Sequence, residues 1–203
     1  MPRNQLAQDV FTRSDSSDLG ADWDAYTGLD SGAIASNHVQ SNANVNHGGQ
    51  ETYNATTPPN NQWASVQFIT LSGGSGYVNG GVLCRAAAPN TQTSYLCALQ
   101  FNDIFIGKQV ASVFTSLANV TKNPTAPETI SLECVGTGLE GFIDGVSLLS
   151  TTDSDIASGR TGITWYTDTG VSVTNIVFDN FTMGDFTAGT ALVHRGLLLG
   201  VGI

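Results

Sequence analysis

Within short runs of this chain apolar residues recur at every second position, and Gly, Pro, Asn and Asp interrupt each run before a helix would complete its turns. Thr129–Val135, TISLECV, alternates strictly: Ile130, Leu132 and Cys134 share one face, Ser131 and Glu133 the other. Trp63–Leu71, WASVQFITL, is apolar on both faces, the pattern of a strand covered on each side. About a dozen such runs with turn signals between them fit two antiparallel sheets packed face to face. Only 12% of residues are charged, and Gly, Ser, Thr and Asn take their place, which suits turns and short strands and suits long helices poorly. The pattern predicts an all-β, two-sheet antiparallel β-sandwich of the jelly-roll kind. It occupies one domain over 1–186, followed by an apolar tail over 187–203.

The expected strands are Asp9–Arg13, one near Ala33–Val39, Trp63–Leu71, Val78–Ala87, Ser94–Phe101, Ile104–Lys108 and Gln109–Leu117. Thr129–Val135, Leu139–Ile143, Val146–Leu149, Gly162–Tyr166 and Val171–Phe181 complete the set. Most of residues 28–62 is polar and broken by Gly and Pro-Pro, and reads as long loops. Asp144-Gly145 signals a two-residue hairpin, because both residues accept positive φ. A hairpin centred between Asn90 and Thr91 sets Cys84 opposite Cys97. Each of the three cysteines, Cys84, Cys97 and Cys134, sits in an apolar run, so reduced, buried thiols are the expectation.

Seventeen acidic side chains against seven basic ones give a net charge of −10, which repels phosphate backbones and anionic lipid. Neither nucleic acid nor a membrane is an expected partner. The opening MPRNQLAQDVFTR lacks the apolar stretch of a secretory signal, which predicts a protein either made and used without that export route or given in mature form with an added methionine. The tail, GTALVHRGLLLGVGI, is almost uncharged and would invite aggregation if free. Leu192, Val193, Leu197, Leu198 and Leu199 are therefore expected to be buried, either in their own domain or by docking in a homo-oligomer or on another protein.

The order DVFTRSDSSDLGADWDAY, GGVLCRA, SYLCAL, LECVGTGLEGFIDGV, TDSDIASGRTGI and FDNF resembles the concanavalin A-like lectin/glucanase superfamily, nearest its laminin-G-like and 3-keto-disaccharide-hydrolase-like branches. The resemblance implies a curved sandwich whose opening F-x-R strand lies near its closing D-N-F strand. Its concave face, in sugar-binding members, holds glycans. Laminin-G-like members often bind calcium through Asp side chains and loop carbonyls, oxygen ligands that suit a hard cation. Here the candidates for a structural calcium are the acidic cluster Asp15, Asp18, Asp22 and Asp24, the pair Asp153 and Asp155, and Asp9 with Asp179.

Glycoside hydrolysis needs two carboxylates held close together. The Glu-x-Asp-x-x-Glu run of the superfamily's glucanases is missing from this sequence. The nearest acidic strand residues are Glu133, Glu140 and Asp144, and a GTG turn pairing Val135 with Leu139 sets Glu133 and Glu140 on opposite faces. His38, His47 and His194 show no metal-ligand spacing. The expectation is a protein that is not an enzyme and needs no cofactor beyond that calcium. Sugar recognition rests on rings flanked by polar groups, which points to Trp165, Tyr166 and Asp168 in WYTDTG and to Trp23 and Tyr26 in DWDAY. On a strand, one of Trp165 and Tyr166 must point inward. The leading reading is a structural or adhesive protein of a bacteriophage virion, a capsid-decoration or fibre-associated subunit bound to other virion proteins. The alternatives are a glycan-binding module of an extracellular protein and a sugar-cleaving enzyme of the keto-disaccharide-hydrolase kind.

Overall fold

The computed structural model describes residues 1–42, 47–71, 78–89, 91–100, 102–167 and 173–186. In chain order the strands are β1 (Arg3–Asp9), β2 (Trp23–Ala25), β3 (Gly32–Ala35), β4 (His38–Ser41), β5 (His47–Tyr53), β6 (Gln62–Leu71), β7 (Val78–Ala86) and β8 (Ser94–Gln100). They continue with β9 (Asp103–Val110), β10 (Val113–Thr121), β11 (Glu128–Val135), β12 (Gly138–Ile143), β13 (Val146–Thr152), β14 (Arg160–Thr167) and β15 (Ile176–Phe186). One sheet of eight strands runs β13-β12-β11-β6-β15-β4-β3, with β1 also paired to β15. The other, of seven, runs β10-β9-β8-β7-β14-β5-β2. Among the described residues the one helical element is a 3₁₀ turn at Val173–Asn175.

The alternation of β11 does what its pattern requires. Ile130, Leu132 and Cys134 are wholly buried against β7 and β8, where Val82, Cys84, Cys97 and Leu99 are buried as completely. Each large side chain so covered contributes roughly 1.5–3 kcal/mol. All three thiols are buried and free.

Several expected boundaries shift, each for a local reason. The opening strand is Arg3–Asp9, not Asp9–Arg13, and it pairs along β15 from Arg3↔Phe186 to Asp9↔Phe181. Past Asp9 the chain turns through Phe11, which has φ 51° and is buried in the core. The strand expected near Ala33–Val39 is a hairpin, β3 and β4, turning through Ser36 and Asn37 at φ 52° and 63°. β9 and β10 turn at Ala111-Ser112, φ 50° and 70°, three residues beyond the expected break. Neither pair contains glycine, so composition does not announce these turns. The Asp144-Gly145 hairpin forms where expected, with φ 48° and 77°. The closing strand begins at Ile176, after the 3₁₀ turn, and not at Val171.

Two register expectations are corrected. Cys84 faces Tyr95, and Cys97 faces Val82. A shift of two residues leaves every side chain on its original face, so alternation cannot choose between the registers. Val135 pairs with Gly138, which sets Glu133 directly opposite Glu140 on one face. That slip is of one residue, and it flips the face.

One end of the sandwich is fastened by Arg85, a buried residue at φ 51°. Its guanidinium donates from Nε to Asn60 O (3.0 Å), from Nη1 to Ile156 O (3.0 Å) and from Nη2 to Gly136 O (2.7 Å). Its own N–H donates to Gln62 Oε1 at 2.9 Å. The Tyr95 ring lies 5.9 Å from the guanidinium, and its hydroxyl donates to Asp153 (2.6 Å) and accepts from Ile156 N (3.1 Å). Lys108 closes the loop 153–159 by pairing with both Asp153 and Asp155. Three separate backbone segments are thus satisfied by one side chain. Replacing Arg85→Met leaves those carbonyls unpaired and is expected to cost about 3 kcal/mol. A urea titration should show a lower midpoint at unchanged slope.

Candidate functional site

The parity that turns Val82, Cys84, Cys97, Leu99, Ile104 and Ile106 into the core turns their neighbours to the outer face of the seven-stranded sheet. Register aligns those neighbours in rows. Asp103, Gln100, Asn79, Tyr166 and Gly48 form one row across β9, β8, β7, β14 and β5. Phe105, Ala98, Gly81, Thr164 and Gln50 form the next. Gly107, Leu96, Leu83 and Gly162 form a third. Leu83, Ala86, Leu96, Ala98 and Phe105 make a second buried apolar cluster on this side of the sheet. The Phe114 ring of β10 stands edge-on to Phe105, centroids 5.9 Å apart, over Gly107, where a Cβ would lie 2.5 Å from it.

The face is concave. Gln50 of β5 donates a hydrogen bond through Nε2 to Gln109 of β9, although β14, β7 and β8 stand between. Over a flat sheet four strand spacings are roughly 19 Å, more than two glutamine side chains can bridge. Beneath lies a cavity of about 590 Å³. Phe105, Phe114, Tyr166 and Leu96 supply its apolar wall, and Asn79, Gln50, Gln92 and Gln109 its amides. Among the described residues that line it, only Tyr166 has a side chain that can ionise. Gln50 is 6% exposed, and its Oε1 is buried without a hydrogen-bond partner. On the same face the hydroxyls of Thr52 and Ser94 are also buried and unpartnered.

No family model and no curated protein matches this sequence. Its shape does match solved structures. A protein of unknown function with a galectin-like fold from Bacillus subtilis is 11% identical, with a TM-score of 0.64 over 91% of this chain and 98% of that one. The carbohydrate-binding module CBM66 from Bacillus subtilis is 12% identical, with a TM-score of 0.58 over 81% and 92%. The exoplasmic/lumenal domain of VIP36, solved with Ca²⁺ and Man2, is 13% identical, with a TM-score of 0.60 over 88% and 86%. The fold is a galectin- and concanavalin A-like sandwich.

On this lectin-like frame the expected aromatic patches divide. Tyr166 lies on the concave face and is 38% exposed. Trp165 points the other way, into the core, with its ring over Gly49, where a Cβ would lie 1.9 Å from it. Trp23 and Tyr26 are buried too, and neither lines the cavity. The Trp23 indole donates to Asp9 (2.8 Å) and the Tyr26 hydroxyl to Ala87 O (2.8 Å), so both anchor loops. Asp168, and the tail residues Leu192, Val193, Leu197, Leu198 and Leu199, lie outside the described residues. The cavity's amides escaped the reading because β5, HGGQETY, has no apolar alternation to mark it as a strand.

The calcium candidates are not brought together: among the described residues no three of His, Cys, Asp and Glu are placed to hold a metal. Their carboxylates serve other cations. Asp24 pairs with Arg160, Asp153 and Asp155 with Lys108, and Asp9 with Arg13. Asp9 faces Phe181 and Asp179 faces Gln67, so the terminal pair does not meet. Burial works to raise the Asp9 pKa, and the Arg13, Trp23 and Phe11 hydrogen bonds overcome it and hold the carboxyl below its usual range. Glu133 pairs with Arg3 (2.6 Å), Glu140 accepts from Ser147, and Asp144 accepts from Thr129 N (2.8 Å). Glu133 and Glu140 belong to the eight-stranded sheet, away from the cavity.

One carboxyl is strongly perturbed. The parity that turns Gln50 to the cavity turns Glu51 inward, 2% exposed, where it accepts the Gly32 N–H of the facing sheet. Burial pushes its pKa up to about 7, against the Gly32 hydrogen bond and with help from the charges of Asp18 and Asp24. The unfolded chain ionises this group first, so its contribution to stability is complete below about pH 4.5 and is lost as pH rises to about 7. The loss is on the order of 3 kcal/mol. Urea titrations across that range should show stability falling in the wild type, and a flatter profile with higher stability at neutral pH in Glu51→Gln.

Proposed function

We propose that the protein is a non-catalytic binding module whose concave face holds a neutral saccharide. The observation that carries this reading is the union, in one cavity, of three aromatic rings with four amide side chains. Rings stack on the apolar faces of sugars, while each amide offers both a donor and an acceptor to hydroxyls. Neutrality follows from the lining, whose described residues place no cation to receive a carboxylate or sulfate, and from the net charge of −10, which repels anions. The neighbours in shape include a carbohydrate-binding module and a lumenal domain solved with Man2, which supports the same reading. An extracellular or surface setting suits such a module.

A neutral glycan array followed by calorimetry is the test. Tyr166→Ala should weaken the best ligand about tenfold, the loss of one stacking partner. Binding should persist in EDTA, since among the described residues no carboxylate lines the cavity. Silence of the wild type across neutral glycans removes the reading.

One observation favours assembly as a second reading. β10, the edge of the seven-stranded sheet, exposes Val113, Phe114 and Val120, and β13, the edge of the other, exposes Val146 and Leu148. Bare apolar edges tend to be covered by another chain. On this reading the protein is a homo-oligomer in solution, and light scattering should report more than one copy per particle. The virion role, as capsid decoration or fibre-associated subunit, draws no support from the neighbours in shape, and the tail 187–203 that was one of its grounds lies outside the described residues.

A further inference from the structure

We infer that the cavity is a blind pocket for the end of a neutral saccharide chain, excluding internal stretches; this rests on the saccharide reading above. One end of the concave trough is walled by a continuous series of hydrogen bonds from β5 to the β9–β10 turn. Tyr26 N donates to Gln50 O (2.9 Å), the Tyr26 hydroxyl to Ala87 O (2.8 Å), and Thr27 N to Pro89 O (3.0 Å). Ala87 N then donates to Thr93 O (2.8 Å), and Ser112 N to Gln92 O (2.9 Å). A string of side-chain amides lies against this wall, Gln50 donating to Gln109 and Gln109 donating to Gln92 (3.3 Å). The string spans the trough from β5 to β9.

An internal sugar unit carries a glycosidic bond on each side and needs an open path both ways. A terminal unit needs one path and presents a free hydroxyl where the next bond would be. Gln50 lines the cavity, and its Oε1, buried and unpartnered, gains a donor when the side chain turns toward such a hydroxyl. Leaving an acceptor of this kind unfilled is costly, so a ligand that supplies the donor is favoured over one that presents an ether oxygen there.

The experiment compares chain ends with chain interiors. Calorimetry is run with linear glucans, mannans and galactans of increasing length, and with cyclic glucans whose linkage matches the linear ones. The expected result is one protein per linear chain whatever its length, with cyclic glucans bound at least tenfold more weakly than linear ones. Stoichiometry that grows with chain length, or cyclic and linear ligands binding equally, overturns the inference and leaves the saccharide reading standing. Absence of binding to every linear neutral glycan overturns both. Gln109→Ala, which cuts the amide string, should raise the number of proteins bound per long chain. Glu140→Gln, on the eight-stranded sheet away from the cavity, should keep it at one, and each variant's melting temperature confirms its fold.

Discussion

Two layers of side chains interlock where Ile130, Leu132 and Cys134 of one sheet meet Val82, Cys84 and Cys97 of the other, and none of the six retains exposed surface. Every strand in both sheets is positioned relative to that contact. The loops beyond it are held by polar groups that the contact itself cannot reach. Arg85 is the main one: a buried cation without an adjacent carboxylate is costly, and here it is spent on three loop carbonyls and a tyrosine ring.

The seven-stranded sheet differs from its partner in being apolar on its outer face as well. Leu83, Leu96, Ala98 and Phe105 have no second sheet above them, yet they are buried, because the sheet curls and glutamine side chains meet across it. Curvature turns what would be a sticky surface into a lined cavity. Gln50 Oε1, Thr52 Oγ1 and Ser94 Oγ are left without partners on that face, while the eight-stranded sheet holds outer polar groups in internal pairs such as Arg3–Glu133.

Much of the fold was legible because its strands alternate. β6, β7, β8, β11 and β12 lie within a residue or so of where their apolar periods put them. What escaped were elements whose cue is tertiary. β5 is polar along its length and is a strand because β14 and β2 pair with it on either side. The Ala111-Ser112 turn takes positive φ without glycine because the flanking strands demand it. At the site, Tyr166 was recognisable as an aromatic beside a tryptophan, but alternation alone left open which of the two faces out. The amides at Gln50, Gln92 and Gln109 carried no local signal at all, since isolated glutamines in polar stretches are usually solvated.

By itself the sequence determined that this chain is a two-layer β-sandwich, that its cysteines are buried, and that its surface is hostile to anions. These follow from period-two patterning and net charge, properties that need no knowledge of which segments meet. The tertiary structure alone decided the register of β7 with β8 and of β11 with β12, the inward turn of Trp165, and the gathering of three distant glutamines over one trough. Registers two residues apart bury the same faces, and residues about sixty positions apart, such as Gln50 and Gln109, become neighbours only when a sheet of intervening strands bends to join them.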